Sequence, residues 1–146
     1  MIIKVKLTQP NSKMPTKAHE DDACYDLYAA IKSSIIINEH SASPIFSLGI
    51  ATEIDPDYFC AIFPRSGLGI KQNLRLSNST GIIDAGYRGE WMCSIFNDSN
   101  DARVIEPGQK VCQFAVLPVI KSELELVNEL SESERGSNGF GSTGIR

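Results

Sequence analysis

Short apolar runs separated by turn-forming residues extend along most of this chain, and they limit the folds that it can adopt. The runs are rich in Ile, Val, Phe and Tyr, and they cover residues 2–7, 34–38, 46–54, 58–63, 91–96 and 111–120. Asp-Pro, Pro-Gly and Asn-Asp-Ser-Asn sequences bound them. No long stretch places apolar residues at helical spacing. The pattern predicts a mostly β chain, either a sandwich or a barrel of short strands.

Three segments depart from this pattern. Residues 64–71, PRSGLGIK, could form one short helical turn, and residues 123–130, ELELVNEL, are compatible with either a helix or a strand. The last 16 residues contain eight Gly or Ser and only two large apolar groups, Phe140 and Ile145. Such a segment cannot bury enough apolar surface to fold alone. We therefore expect a β-domain over 1–130 and a flexible C-terminal arm over 131–146.

Charge and hydropathy exclude several classes of partner. The net charge of −4 over 146 residues argues against a broad surface for binding DNA or RNA. The sequence has no window of 18 apolar residues, so it predicts no transmembrane helix. Its first ten residues are too charged for a signal peptide. We therefore expect a cytoplasmic protein that binds neither nucleic acid nor a membrane.

Cysteine and histidine usage argues against a protein-built metal centre. The four cysteines stand at positions 24, 60, 93 and 112, and none forms a C-x-x-C pair. Apolar neighbours predict reduced, buried thiols, as in a cytosolic protein. His19 and His40 are the only histidines in the sequence, so a His-rich metal site is not expected.

Two segments carry groups that could bind phosphate. In PRSGLGIK, small residues would let backbone N–H groups approach an anion, Arg65 offers a fork of donors, and Ser66 could cap the turn or donate to phosphate. The same sequence is also compatible with an ordinary turn from a strand to a helix. Gln113 is an amide inside the apolar run 111–120, so it needs partners, either in a structural network or in a ligand.

Two aspartates stand among apolar residues. Asp26, within ACYDLYA, requires an internal ion pair, N–H donors or a metal-bound water if it is buried. Asp84, within NSTGIIDAGYRGEW, follows Ile82 and Ile83 in what the sequence predicts to be a hairpin with a wide tip. A partly shielded Asp84 could act as a general base, or it could simply form the turn, with Tyr87 as a packing residue.

The segment 135–144, RGSNGFGSTG, combines glycines with an arginine and an aromatic ring. Its composition is similar to that of loops that surround phosphates, with Phe140 available to stack on a base. It lacks the Gly-Lys-Ser/Thr of a Walker A loop. A plain C-terminal linker is the alternative interpretation.

Taken together and in this order, five segments resemble the motifs of the trimeric dUTPase family. They are ACYDLYA (23–29), PRSGLGIK (64–71), NSTGIIDAGYRGE (78–90), EPGQKVCQF (106–114) and RGSNGFGSTG (135–144). They span nearly the whole chain. One departure is that Cys24 stands where the family usually has glycine.

The resemblance implies a jelly-roll-like β-barrel of the dUTPase β-clip type, assembled as a homotrimer whose active sites are shared between subunits. The reaction would hydrolyse dUTP to dUMP and pyrophosphate, which keeps uracil out of DNA and supplies dUMP for thymidylate synthesis. By this resemblance, Asp84 would activate the attacking water. Mg²⁺ would chelate the triphosphate, and Asp26 would reach the metal through water.

The same resemblance assigns substrate contacts to three groups of residues. The phosphates would be bound by Arg65, Ser66, Gly67 and Gln113. The uracil and deoxyribose would be bound by Asn78, Gly81, Ile82, Ile83, Tyr87 and Met92. The C-terminal arm would contribute Arg135 at the γ-phosphate, Phe140 stacked on uracil, Ser142 in contact with phosphate, and Gly141 between the last two.

Two other functions fit the same fold. A dCTP deaminase would release ammonia from dCTP, and a nucleotide-dependent regulatory trimer would bind without turnover. The intact Asp84 segment and the Gly-Phe-Gly of the arm favour hydrolysis of dUTP over both.

Overall fold

The computed structural model describes residues 1–137 and residue 139. This part of the chain contains short strands and one helix, which confirms the prediction of a mostly β protein. In chain order the elements are β1 (Lys4–Leu7), β2 (Tyr25–Tyr28), β3 (Ile35–Ile37), β4 (Ser41–Ala42), β5 (Phe46–Ser47), β6 (Ile50–Glu53), β7 (Tyr58–Pro64), α1 (Ser66–Gln72), β8 (Leu74–Leu76), β9 (Gly81–Ile83), β10 (Met92–Cys93), β11 (Ile95–Asn97), β12 (Arg103–Ile105) and β13 (Lys110–Pro118).

The predicted apolar runs become strands, but two of them are broken. The run 91–96 divides into β10 and β11, which lie in different sheets. The run 46–54 divides into β5 and β6 at Gly49, whose φ of 76° lies in the left-handed region. A Cβ atom there would lie 2.4 Å from Ser12 Oγ. Glycine is therefore required at this corner, both for its backbone conformation and for the close approach of the 8–12 segment.

A four-stranded antiparallel sheet in the order β2-β13-β7-β9 forms the part of the fold that carries the motifs. Its central strand β13 places Gln113 opposite Asp26 on one side and opposite Phe63 on the other. The register between β13 and β2 shifts between Lys110 and Cys112, which marks a β-bulge. Residues distant in sequence therefore meet at one position of the sheet.

The smaller sheets pair β1 with β6, β10 with β5, β12 with β3, and β11 with both β4 and β8. Between the sheets lies one apolar core, which contains Trp91 and Phe114. Their rings meet edge to face at a centroid distance of 5.1 Å, and Tyr25 stacks on Phe114 at 5.2 Å. The aromatic cluster joins β2 and β13 to the start of β10, and it fixes the core face of the motif-bearing sheet.

The prediction of a hairpin over 78–91 is wrong. Strand β9 pairs with β7, whereas β10 pairs with β5, so the two arms lie in different sheets. Residues 78–92, called here the 78–92 segment, therefore cross from one sheet to another. The turn at Asp84 is nevertheless present, because the N–H of Tyr87 donates to the carbonyl of Asp84 at 3.0 Å.

The two ambiguous segments have different outcomes. Residues 66–72 form α1, which confirms a short helix after the strand, and Asn73 ends it in a left-handed conformation. Residues 123–130 form neither helix nor strand, and their side chains are exposed. Leu124 and Leu126 are 101% and 99% exposed in the single chain. Among the described residues, no helix is long and apolar enough to cross a membrane.

Candidate active site

The carboxylate of Asp26 is the most highly paired charged group in the candidate site. Its Oδ1 lies 2.7 Å from Arg65 Nε, and its Oδ2 lies 2.7 Å from Lys110 Nζ. Asp26 is only 8% exposed, so these two cations compensate the loss of water around the carboxylate. Of the alternatives left open by the sequence, the ion pair is the one observed.

Three neighbouring strands bring these groups together. Asp26 lies on β2, Gln113 lies opposite it on β13, and Arg65 follows the end of β7. The side-chain amide of Gln113 donates to the carbonyl of Pro64 at 3.0 Å. This contact joins β13 to the residue before Arg65. Of the two kinds of partner left open for the Gln113 amide, a main-chain partner is observed, and the side chain is only partly buried.

Lys110 is a member of this cluster that the sequence analysis missed. Alternation along β13 from Gln113 would put Val111 on the same face and Lys110 on the opposite one. The bulge reverses this order, because Lys110 pairs with Tyr28 and Val111 is buried in the core. The carboxylate of Asp26, which accepts a hydrogen bond from Lys110, raises the pKa of the lysine.

Beside this cluster lies a cavity of about 300 Å³, called here the Asp26 pocket. Its lining residues are Ala18, Asp22, Ala23, Cys24, Asp26, Arg65 and Gln113. Ser66 and Gly67 are exposed in the first turn of α1, directly after Arg65. Arg65 and Gln113 thus share one cavity with Asp26, and Ser66 and Gly67 follow at the start of the helix.

Cys24 corrects the prediction that all four thiols are buried. Cys60, Cys93 and Cys112 are buried, but Cys24 is partly exposed in the wall of the Asp26 pocket. Partial burial and the nearby Asp26 carboxylate raise the pKa of its thiol. All four cysteines are free, as the sequence predicted.

A second cavity of about 270 Å³, called here the Asp84 pocket, lies along the 78–92 segment. It is lined by Ile82, Ile83, Asp84, Tyr87, Glu90 and Met92. The Asp84 side chain is exposed, and no described residue forms a hydrogen bond or an ion pair with its carboxylate. A carboxylate in this setting is able to accept a proton from a bound water.

The ring of Tyr87 stands in the wall of the Asp84 pocket in a defined position. Its hydroxyl donates to the carbonyl of Glu90 at 3.0 Å. A Cβ atom on Gly89 would lie 2.4 Å from the same hydroxyl oxygen, so only glycine lets the ring lie this close to the main chain. Tyr87 is therefore more than a general packing residue, since it forms part of a cavity wall.

The side chain of Glu90 is a second feature that the sequence analysis missed. Its Oε1 accepts hydrogen bonds from Thr8 Oγ1, from Ser47 Oγ at 2.7 Å and from Gln9 Nε2 at 3.2 Å. The hydrogen bond from Thr8 is the main cause that lowers the pKa of Glu90, and those from Ser47 and Gln9 add to it. Each donor is far from Glu90 in sequence, so a local pattern could not reveal the cluster.

The remaining predicted site residues are divided between the described and the undescribed chain. Asn78 and Met92 line a third cleft, of about 290 Å³, together with Ser77 and Ser94, while Gly81 pairs with Ile62 at the start of β9. Arg135 is exposed after the last strand. Phe140, Gly141 and Ser142 lie outside the described residues.

The Asp26 pocket and the Asp84 pocket share no lining residue in the described part of the chain. One chain therefore presents the predicted phosphate-binding groups and the predicted base in two separate cavities.

Comparison with known proteins identifies the family to which this chain is similar. A family model for dUTPase matches residues 10–144, a range that includes both pockets and all five motifs. The chain belongs to the dUTPase family.

Individual members of the dUTPase family are similar over the whole chain. The deoxyuridine 5'-triphosphate nucleotidohydrolase of Xanthomonas campestris pv. campestris (strain B100) is 39% identical over 149 residues, which cover 99% of this chain and 97% of that protein. The structure of Staphylococcus bacteriophage 80alpha dUTPase with dUpNHpp has 29% identity and a TM-score of 0.88, with 99% of each chain covered. These likenesses confirm the predicted family and its jelly-roll-like fold.

A third relative bears on metal binding. A variant of the dUTPase from phage phi11 of S. aureus has 24% identity and a TM-score of 0.78, covering 88% of this chain and 98% of that one. Its structure reveals the coordination of a structural Mg(II) ion. That ion is a property of the phage protein, and at this identity the likeness to our chain concerns the fold.

The donor set of our dUTPase-family chain fits a metal carried by a substrate better than a metal held by the protein alone. The described residues contain no group of three or more His, Cys, Asp or Glu side chains placed to bind an ion. Mg²⁺ commonly takes one or two carboxylates, with substrate phosphates and waters completing its shell. Asp22 and Asp26 line the Asp26 pocket, and Asp26 is the one of the two that lies within a motif.

Proposed function

We propose that this protein hydrolyses dUTP to dUMP and pyrophosphate. The observation that carries the proposal is the dUTPase-family match over residues 10–144, in which the polar groups of every motif are retained. The Xanthomonas relative is named for this activity, and the phage 80alpha relative has a structure with the analogue dUpNHpp. The reaction keeps uracil out of DNA and supplies dUMP for thymidylate synthesis.

The Asp26 pocket binds the triphosphate in this proposal. Arg65 supplies guanidinium donors, Gln113 supplies an amide, and Ser66 and Gly67 supply donors from the start of α1. Asp26 holds Arg65 in one orientation through the 2.7 Å contact at Nε, which leaves the terminal nitrogens of the guanidinium available to phosphate oxygens. Lys110 adds a second positive charge next to the same carboxylate.

Mg²⁺ is the cofactor in this proposal. When it is bound, it neutralises triphosphate charge and fixes the conformation of the chain of phosphates. Asp26 would contact it through water, because both carboxylate oxygens already accept from Arg65 and Lys110. Asp26 would thus act on the ion indirectly, and the triphosphate would bind it directly.

The Asp84 pocket and the third cleft, which shares Met92 with it, bind the nucleoside, and the Asp84 pocket orients the attacking water. Asn78 and the main chain of Gly81, Ile82 and Ile83 bind uracil, while Met92 and Tyr87 lie near the sugar. Asp84 takes a proton from water as the water attacks the α-phosphorus in line with the departing pyrophosphate. One P–O bond forms and the α–β phosphoanhydride bond breaks, so dUMP leaves with the new oxygen.

A homotrimer with shared sites is the assembly that we propose. The residues proposed to bind phosphate lie in one cavity and Asp84 lies in another that shares no lining residue with it, which supports a site built from two copies of the chain. Exposed apolar side chains after β13, among them Ile120, Leu124, Leu126 and Leu130, offer contact surface for a neighbouring subunit. The segment 131–146 is the arm of this assembly, and Arg135, Phe140, Gly141 and Ser142 complete the site by contacting phosphate and uracil.

We place the protein in the cytoplasm. Its four cysteines are free, which suits a reducing compartment. Nucleic acids and membranes are not among its proposed partners.

The test is release of pyrophosphate from dUTP in the presence of Mg²⁺, measured with a colorimetric coupled assay. Formation of dUMP and pyrophosphate in equal amounts is the expected result. Release of ammonia from dCTP would instead identify a deaminase of the same fold. Binding of dUTP without turnover would identify a regulatory protein.

A further inference from the structure

The carboxylate of Glu90 connects three parts of the chain that are distant in sequence. Its Oε1 accepts from Thr8 and Gln9, which follow β1, and from Ser47, which ends β5. These donors are neutral side chains, so the carboxylate keeps its full charge and each hydrogen bond is charge-assisted. We call these four residues the Glu90 clamp.

The clamp fixes the main chain at the C-terminal end of the 78–92 segment. The next residue, Trp91, is 0% exposed, and its N–H donates to the carbonyl of Ile50 at 2.7 Å. Its own carbonyl accepts from the N–H of Leu48 at 2.8 Å. Residues 90 and 91 are therefore held firmly, whereas residues 86–88 are exposed.

Tyr87 depends on this fixed point. Its hydroxyl donates to the carbonyl of Glu90, and its ring lies against Gly89, where a Cβ atom would collide with it. Tyr87 is 45% exposed, so packing in the core does not determine the plane of its ring. The carbonyl of Glu90 and the main chain of Gly89 provide the contacts that orient it.

We propose that Glu90 is a positioning residue that fixes the ring of Tyr87 and thereby sets the preference for a 2′-deoxyribonucleotide over a ribonucleotide. The proposal rests on the proposed function, because it assumes that Tyr87 faces the sugar. A ring held flat against C2′ leaves no room for a hydroxyl group. A ring that can tilt loses this exclusion, even though every group that contacts substrate is still present.

The central experiment compares kcat/KM for dUTP and for UTP in the parent, Glu90→Ala and Glu90→Gln. Loss of the carboxylate in Glu90→Ala should lower the ratio of kcat/KM for dUTP to kcat/KM for UTP by about tenfold. Small displacements of a positioning group strongly change discrimination between substrates. Glu90→Gln keeps an oxygen acceptor and should retain most of the ratio. Parental selectivity in a folded Glu90→Ala protein would overturn the proposal.

A second variant separates the clamp from the pocket wall. Thr8→Val removes one donor while preserving side-chain shape, and Thr8 is not among the lining residues of the Asp84 pocket. The Thr8→Val variant should lower the ratio of kcat/KM for dUTP to that for UTP by about threefold, since Glu90 loses one of its three hydrogen bonds. The matched control is Glu53→Ala, which removes an exposed carboxylate paired with Lys4 outside this pocket and should leave the ratio unchanged.

Hydrogen exchange provides a readout that does not depend on turnover. Amides of residues 84–91 should exchange faster in Glu90→Ala and in Thr8→Val, while those of β7 keep the parental rate. If the parent hydrolyses neither dUTP nor UTP, the proposed function fails, and exchange alone still decides whether Glu90 orders Tyr87. Unchanged exchange over 84–91 in both variants would refute the positioning role by itself.

Discussion

The two pockets are named for Asp26 and Asp84, and these two acids have opposite surroundings. Asp26 is nearly buried and paired on both oxygens with Arg65 and Lys110. Asp84 is exposed, and no described residue pairs with its carboxylate. A carboxylate that is fully paired can hold cations in place, whereas one without partners can accept a proton. This difference is consistent with the two proposed roles, in which Asp26 orients the groups that bind phosphate and Asp84 activates water.

The largest expected effect comes from Asp84→Asn, which keeps the shape of the Asp84 pocket and removes its base. We expect kcat for dUTP to fall by about 10²–10⁴-fold with little change in KM. Steady-state kinetics measure both constants. Asp101→Asn is the control, because it removes an exposed carboxylate at a turn and should leave kcat unchanged. Near-parental turnover of Asp84→Asn would show that Asp84 is not the base that activates water.

Mixing subunits tests whether the two pockets meet across an interface. Asp84→Asn and Arg65→Ala proteins are unfolded, mixed in equal amounts and refolded. If a site takes Arg65 from one subunit and Asp84 from another, about a quarter of the sites should be intact, and activity should rise far above either parent variant. Sites built within one chain would show no such rise.

A second mixture is the control for the first. Parental protein is refolded with the double variant that carries both Asp84→Asn and Arg65→Ala. Shared sites again predict about a quarter of the parental activity, whereas sites within one chain predict about half. Native mass spectrometry confirms that mixed assemblies have formed.

A smaller effect is expected from Lys110→Met, which leaves Asp26 with Arg65 alone. Binding of the triphosphate should weaken, so that KM rises about tenfold while kcat changes less, because a hydrogen bond to a charged group contributes about 1.5–3 kcal/mol. Lys121→Met is the matched control, since it breaks an exposed pair with Asp57, of 2.6 Å, outside both pockets. Equal kinetic effects of the two variants would show that Lys110 has no special role.

The smallest effect concerns the pH dependence of stability at Glu90. Its pKa is lowered in the folded protein from the ordinary value of 4.5, mainly by the hydrogen bond from Thr8. The carboxylate therefore contributes stability that is present above about pH 4.5 and is lost as the pH falls through the lowered pKa. We expect the parent to be more stable than Glu90→Gln by at most about 1 kcal/mol at pH 7, with the difference shrinking at acid pH.

Urea unfolding of both proteins at pH 7 and at pH 3.5 measures this change. The same comparison with Glu53→Gln is the control, because the pKa of Glu53 is also lowered, chiefly by Lys4, at an exposed site where solvent weakens the interaction. If the parent and Glu90→Gln differed more in free energy of unfolding at pH 3.5 than at pH 7, the Glu90 clamp would not stabilise the fold through its charged carboxylate.

Much of the Asp26 pocket could be predicted from the sequence, because its groups lie in recognisable motifs. The resemblance joined Asp26, Arg65 and Gln113, and Asp26 and Gln113 prove to be direct neighbours in the sheet. Lys110 could not be predicted, since strict alternation along β13 assigns it to the opposite face. A bulge is a property of strand pairing, and one strand's sequence does not reveal it.

The Asp84 pocket was predicted less completely for a related reason. Asp84 and Tyr87 could be singled out from their own segment, but the supposed hairpin requires β9 to pair with β10. Pairing of the two arms with other strands, β7 and β5, is a long-range outcome that local turn signals do not encode. Glu90 was missed because its partners Thr8 and Ser47 lie 82 and 43 residues away.

The bulge before Cys112 separates the position of Lys110 from a strict alternation along the strand. If Val111 were removed, every charged residue of the EPGQKVCQF motif would remain, and regular pairing from Gln113 would place Lys110 opposite Tyr28, where the bulge places it now. The loss would fall on the core instead, which would lack a valine that is 2% exposed. A relative with a single deletion at this point can therefore keep the same charges beside Asp26 while its core differs, and alignments of the family should treat such a gap as a change in packing rather than in the phosphate-binding groups.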